Sequence, residues 1–152
     1  MRDNIYRGKQ KGKNRWLYGH LTKHYSSSSA YTEIAPHIQF YNKEGHFEEW
    51  EVIPESVGQF TGQFGTVMGK PNNLIFEGDI QREEVEESGG DVRFYYVCRY
   101  MPEIAAFVWM DYGDTCTDWR TAKEEYPISL QFDEHYHICG NEFDNPDWWQ
   151  KD

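Results

Sequence analysis

The chain has 152 residues, enough for one domain or two small subdomains sharing a core, and its 17% aromatic content closes a core although only 38% of residues are apolar. A formal net charge of −11 disfavours broad wrapping of nucleic acid, and no apolar run is long enough to span a bilayer, so no membrane partner is expected. Met1 is followed by charge, and Cys98, Cys116 and Cys139 are an odd number in a chain too large to need stapling, which together predict a cytoplasmic protein with free thiols.

The charge is unevenly placed. Residues 1–23 carry seven basic side chains against Asp3, a net of +6, which leaves eight basic and 25 acidic side chains, a net of −17, for the rest. A small basic arm precedes an acidic body, so any nucleic-acid contact has to come through the arm.

In chain order, Asn4–Gly8 reads as a short strand, the polar run Lys9–Asn14 as a hairpin tip, and Arg15–Thr22 as the returning strand with Trp16 and Tyr18 on one face. Arg7, Lys9, Lys11, Lys13 and Arg15 form either a phosphate-gripping loop or a solvated tip that keeps a sheet edge soluble; the second reading is preferred, because nothing nearby reads bases. Ser26–Ser29 is a low-complexity loop. Tyr31–Ile34 and His37–Tyr41 read as strands separated by Pro36, and after the turn Asn42–Gly45 a strand runs from His46 to Ile53 with a bulge near Glu48 and Glu49. Pro54 ends it.

Val57 and Phe60 are apolar anchors, Gly58 and Gly62 permit backbone conformations that a side chain would exclude, Gln63–Asn73 is loop-like, and Ile75–Ile80 turns at Gly78 into a strand through Arg82, with Glu83–Gly90 its acidic, exposed continuation and turn. Asp91–Cys98 is a strand. The nearly continuous apolar run Ile104–Met110 is the best central strand, and Asp114–Tyr126 is the one helical pattern, with Trp119, Ala122 and Tyr126 at helical spacing before Pro127. Ile128–Phe132 and Tyr136–Phe143 close the sheet. The fold class is therefore mainly β, α+β at most: many short antiparallel strands with one short helix near residues 114–126.

Three blocks, Val57-Gly58-Gln59-Phe60-Thr61-Gly62, Ile75-Phe76-Glu77-Gly78-Asp79-Ile80 and Ile138-Cys139-Gly140-Asn141-Glu142-Phe143-Asp144-Asn145-Pro146, resemble in order the signature blocks of the YopX family of phage and prophage proteins. Ile5, Tyr6-Arg7-Gly8 and Trp16-Leu17-Tyr18-Gly19 also look like that family's start, so the resemblance covers nearly the whole chain. It departs at Gln63–Asn73, where the family has a shorter Asp/Asn-Gly turn. The resemblance implies a mainly β protein acting inside a bacterium, with a small barrel-like C-terminal half and no enzymatic activity. On that basis residues 1–53 form an N-terminal β-hairpin subdomain and 54–152 the barrel-like one.

Candidate chemistry is sparse. His135, His137 and Cys139 alternate on one strand face as metal ligands do, but the paired spacings of a closed zinc site are missing, and an ordinary strand face is preferred. The pairs Glu48-Glu49, Glu83-Glu84 and Glu86-Glu87 suit solvated edges better than acid–base work, so no catalytic residue, metal or cofactor is assigned. Trp148 and Trp149 are the candidate protein-interaction residues, docked back or exposed for a partner. The expected role is a non-enzymatic interaction or self-assembling protein, a homo-oligomer or a binder of a phage or host protein; the alternative is a nucleic-acid-binding module using the basic hairpin.

Overall fold

A computed structural model describes residues 4–26, 30, 32–67, 70–111, 128–129 and 137–146. The chain divides into two compact units, Met1–Phe60 and Thr61–Asp152, so the division falls inside a strand rather than at the Pro54 turn. The eleven strands among the described residues are mainly antiparallel, and the one helical element described is a single 3-10 turn at Pro54–Ser56. The helix expected at 114–126 lies outside the described residues.

The first unit is a curled sheet in the order β5-β1-β2-β3-β4, made of β1 (Tyr6–Lys9), β2 (Trp16–Tyr25), β3 (Ile34–Tyr41), β4 (Phe47–Glu51) and the start of β5 (Gly58–Val67). β1 and β2 form the expected hairpin, Tyr6 opposite Gly19 through Lys9 opposite Trp16, but β2 runs on to Tyr25 because β3 pairs with it from His20 to Tyr25. β3 continues straight through Pro36. That residue has no amide to donate, and its carbonyl accepts the Val52 amide at 3.0 Å. The expected bulge near Glu48 and Glu49 is absent, since the β3–β4 register is unbroken from Tyr41 opposite Phe47 to His37 opposite Glu51.

Strong curl brings the end of β4 back to the end of β1. Gln10 and Val52 form an antiparallel bridge in which the Lys11 amide donates to the Glu51 carbonyl at 3.0 Å and the Ile53 amide to the Lys9 carbonyl at 2.9 Å. Inside the curl Leu17, Ile38 and Val52 are buried, with Tyr6, Leu21, Phe40 and Val57 packed against them. Two glycines let the strands approach. A Cβ on Gly8 would sit 2.8 Å from the Val52 side chain, and one on Gly19 would sit 2.0 Å from the Gln39 carbonyl oxygen.

The second unit holds the rest of β5, β6 (Lys70–Phe76), β7 (Asp79–Glu87), β8 (Gly90–Met101), β9 (Ala106–Asp111), β10 (Ile128–Ser129) and β11 (His137–Asn141), ordered β10-β9-β8-β7-β11-β5 with β6 also on β5. The strand anticipated as central is β9, which lies second from the end of the order, between β8 and the two-residue β10; Phe107, Val108 and Trp109 are buried as expected, while Ile104 is left exposed in the turn before it. Three sequence expectations need correction. Gln63–Asn73 is mostly strand rather than loop, because β5 and β6 pair across it and the pairing overrides the glycine and asparagine content. β11 lies parallel to β5, His137 opposite Thr66, so the strands are not all antiparallel. The barrel-like C-terminal half is an open ladder: closure needs the terminal strands to pair, and among the described residues β10 pairs with β9 and β6 with β5. Its core is Ile75, Cys98, Phe107, Trp109 and Ile138, with Tyr96 against them.

The glycine approach is directly testable by thermal denaturation. Gly19→Ala is expected to cost on the order of 3 kcal/mol, because backbone must move to admit the methyl. Gly12→Ala, at φ +77° with open space around it, is expected to cost about 1 kcal/mol for the left-handed backbone alone. Equal losses at the two positions would contradict the close packing of β2 on β3.

Candidate functional site

The five basic candidates are spread over the β1–β2 hairpin, and the fold engages them differently. The Arg7 guanidinium lies 5.0 Å and the Lys9 ammonium 5.8 Å from the Trp16 ring centre, and Lys13 lies 5.5 Å from that of Trp50. Such cation–aromatic contacts keep the charge while packing the stem. Lys11 donates to Glu51 at 2.7 Å, and Arg15 Nε donates to the Gln10 side-chain oxygen at 3.0 Å. Arg7 is buried, whereas Lys11, Lys13 and Arg15 are exposed. The hairpin is therefore fastened to the end of β4 rather than standing clear as a phosphate grip.

Glu51 is the junction of that attachment. Its mostly buried carboxylate also accepts the Ser26 hydroxyl, at 2.9 and 3.0 Å, and the Lys9 amide nearby donates to Ser56 Oγ at 2.7 Å. A cavity of about 230 Å³ lies beside it, lined by Lys11, Ser26, Glu33, Glu51, Ile53 and Pro54 among others. It is smaller than the roughly 300 Å³ from which small-molecule sites begin. Lys11 and Ser26 already meet the buried carboxylate, which suits a structural junction.

The outer face of the same sheet is aromatic. Residues opposite one another in an antiparallel ladder share a face, so Arg7 with Tyr18, Lys9 with Trp16, His20 with Gln39 and Tyr41 with Phe47 all lie on it. Tyr41 is 74% exposed, Phe47 56% and Tyr18 49%. Tyr41 and Phe47 meet edge-on with ring centres 5.8 Å apart. Toward the other end of the face the His24 and His37 rings meet at 5.5 Å, His24 Nε2 lies 3.4 Å from Glu49, and Gln39 donates to the same carboxylate. Residue type alone did not single out Tyr41 and Phe47. The available signal was the Asn42–Gly45 turn, whose Asn42 side chain accepts from the Glu44 and His46 amides and sets the two aromatics opposite each other.

In the second unit, two of the sequence blocks meet. The Glu142 amide donates to the Gly78 carbonyl at 2.9 Å, Gly78 in turn donates to Cys98 at 2.9 Å, and Asp79 closes its turn by accepting the Phe76 amide at 2.8 Å. Thr61, from the remaining block, donates its hydroxyl to the Ile75 carbonyl at 2.9 Å. Arg99 grips Glu142 with both terminal nitrogens. Burial opposes its charge, but the Glu142 and Glu77 carboxylates outweigh that and hold it above its ordinary value. These contacts are those of a turn cluster that fixes β7 against β11.

Of the metal candidates, His137 is exposed and Cys139 is partly buried, its thiol donating to the Ile80 carbonyl at 3.4 Å. His135, like Trp148 and Trp149, lies outside the described residues. Among the described residues no three His, Cys, Asp or Glu side chains converge as ligands. Burial pushes the Cys139 thiol up to about 11, against a smaller lowering by Arg82, so it stays protonated at neutral pH and is a poor ligand or nucleophile.

Compared with known proteins, the chain matches no family model, no curated protein and no solved structure. No helix among the described residues is long and apolar enough to cross a membrane.

The Cys139 shift has a measurable consequence. In a Cys116→Ser variant, iodoacetamide alkylation of Cys139 followed by mass spectrometry is expected to rise with an apparent pKa near 11. The unfolded thiol titrates at 9.0, so its contribution to stability is complete below pH 9 and is lost as pH rises through about 11. Rapid alkylation at pH 8 would contradict the burial.

Proposed function

We propose that this chain is a YopX-like phage or prophage protein that works inside its bacterial host as a non-enzymatic, self-assembling interaction protein. The observation that carries the interaction reading is the exposed aromatic row Tyr18, Tyr41 and Phe47 on one sheet face. Aromatics enriched on an exposed face are the composition of an interface core, and large exposed apolar area is costly unless something covers it. Support for the family rests on the three sequence blocks, two of which meet at Gly78 and Glu142.

Binding of nucleic acid through the basic hairpin is the weaker reading. Lys11 is ion-paired to Glu51, and Lys13 lies on Trp50. The Lys11 charge is thus already met by a carboxylate, while counterion-release binding needs many phosphate contacts.

Size-exclusion chromatography with light scattering tests the proposal. The purified protein is expected to form a defined oligomer, and Tyr41→Ser with Phe47→Ser is expected to weaken it at least tenfold without changing the far-UV circular dichroism. Trp148→Ala with Trp149→Ala separates a contribution of the tail from that of the sheet face. A strict monomer, or one that shifts only when a short nucleic acid is added at low salt, would sink the self-assembly reading.

A further inference from the structure

The β7–β8 hairpin outruns the strands beside it. β11 pairs with β7 between Asp79 and Arg82, and β9 pairs with β8 between Tyr96 and Met101, yet the β7–β8 ladder continues from Glu83 opposite Phe94 to Glu87 opposite Gly90. Residues 83–94 thus form a two-stranded arm whose strands, among the described residues, pair with each other alone. A lone two-stranded ribbon is marginal in water, so an arm of this length gains from a surface to lie on.

Its chemistry indicates which surface. The arm holds Glu83, Glu84, Glu86, Glu87 and Asp91 against the single cation Arg93. Phe94 shares a face with Glu83 and is 41% exposed. The complement is present in the first unit: the stretch Tyr6–Trp16 contains five basic residues and no acidic one, and although Arg7 is buried and Lys11 is paired with Glu51, Lys13 and Arg15 are exposed, beside the Tyr18, Tyr41 and Phe47 face. Lys13 rests on the Trp50 ring, so its ammonium group is positioned in advance and loses little freedom on meeting a carboxylate.

We propose that the acidic β7–β8 arm of one copy docks on the basic β1–β2 hairpin and adjoining aromatic face of a second copy. This rests on the self-assembly reading and names its two surfaces. The contact is heterologous, because arm and hairpin are different surfaces, so copies add head to tail until a ring closes. Opposite charges set the register and Phe94 supplies the apolar contact.

Charge exchange tests it by light scattering, with circular dichroism as the control for folding. Glu83→Lys, on the face that carries Phe94, is expected to lower the association constant severalfold, and Lys13→Glu with Arg15→Glu in a separate protein is expected to lower it at least tenfold. Mixing the two altered proteins is expected to restore assembly, because each then offers the other a complementary partner. Phe94→Ser, which leaves every charge in place, is expected to weaken assembly in its own right. Assembly of the unaltered protein that neither exchange disturbs, or no recovery on mixing, would overturn the arm assignment while leaving self-assembly standing. A monomer at every concentration up to about 100 µM, a weak limit for a specific contact, would overturn both.

Discussion

Much of the first unit depends on one short antiparallel contact, the bridge between Gln10 and Val52 with its two backbone bonds. A curled sheet leaves unpaired groups on its edges, which are exposed to other chains unless something meets them. Here the end of β4 meets the tip of the first hairpin, and Glu51 adds a side-chain bond to Lys11 from the same place. The closure also buries Val52 against Leu17 and Ile38. Backbone pairing, ion pair and apolar burial are therefore one event, and Gly8 is required there because a methyl group would strike Val52.

That closure assigns roles to the two faces of the sheet. The concave side takes Leu17, Ile38, Phe40 and Val52, which leaves the convex side with Tyr18, Tyr41 and Phe47 exposed and two cations lying over Trp16. Charge is segregated as well. The first unit is nearly balanced, with eight basic and seven acidic residues, while the second has seven against 19. Local attraction between unlike regions then acts within a molecule whose net charge is −11, so specificity has to come from placement rather than from bulk charge.

The β class was legible because alternation and turn residues are local signals: the first hairpin, the Asn42–Gly45 turn and the apolar β9 run could all be read directly from residue type. Pairing between distant segments was not. β5 and β6 run through a stretch rich in glycine and asparagine because their ladder overrides propensity, and β3 passes Pro36 because that position needs an acceptor rather than a donor. The open ladder of the second unit and the parallel β11–β5 contact are likewise long-range facts. At the candidate site the basic residues could be read, but their engagement could not: Glu51, 40 residues from Lys11, carried no local mark of its role. The exposure of the Tyr41–Phe47 pair was hidden for a related reason, since which sheet face stays uncovered depends on the distant closure at Gln10 and Val52.

Amide hydrogen exchange followed by nuclear magnetic resonance on the folded protein addresses the closure most directly. Lys11 and Ile53 donate across the bridge and Val52 donates to Pro36, so all three amides are expected to exchange as slowly as those in the middle of β2 and β3. The Glu51→Ala protein should lose protection at Lys11 and Ile53 before it loses protection in β2. Exchange at Lys11 and Ile53 as fast as in an open loop would mean that the hairpin tip stands free. That result would contradict the account of a sheet closed upon itself.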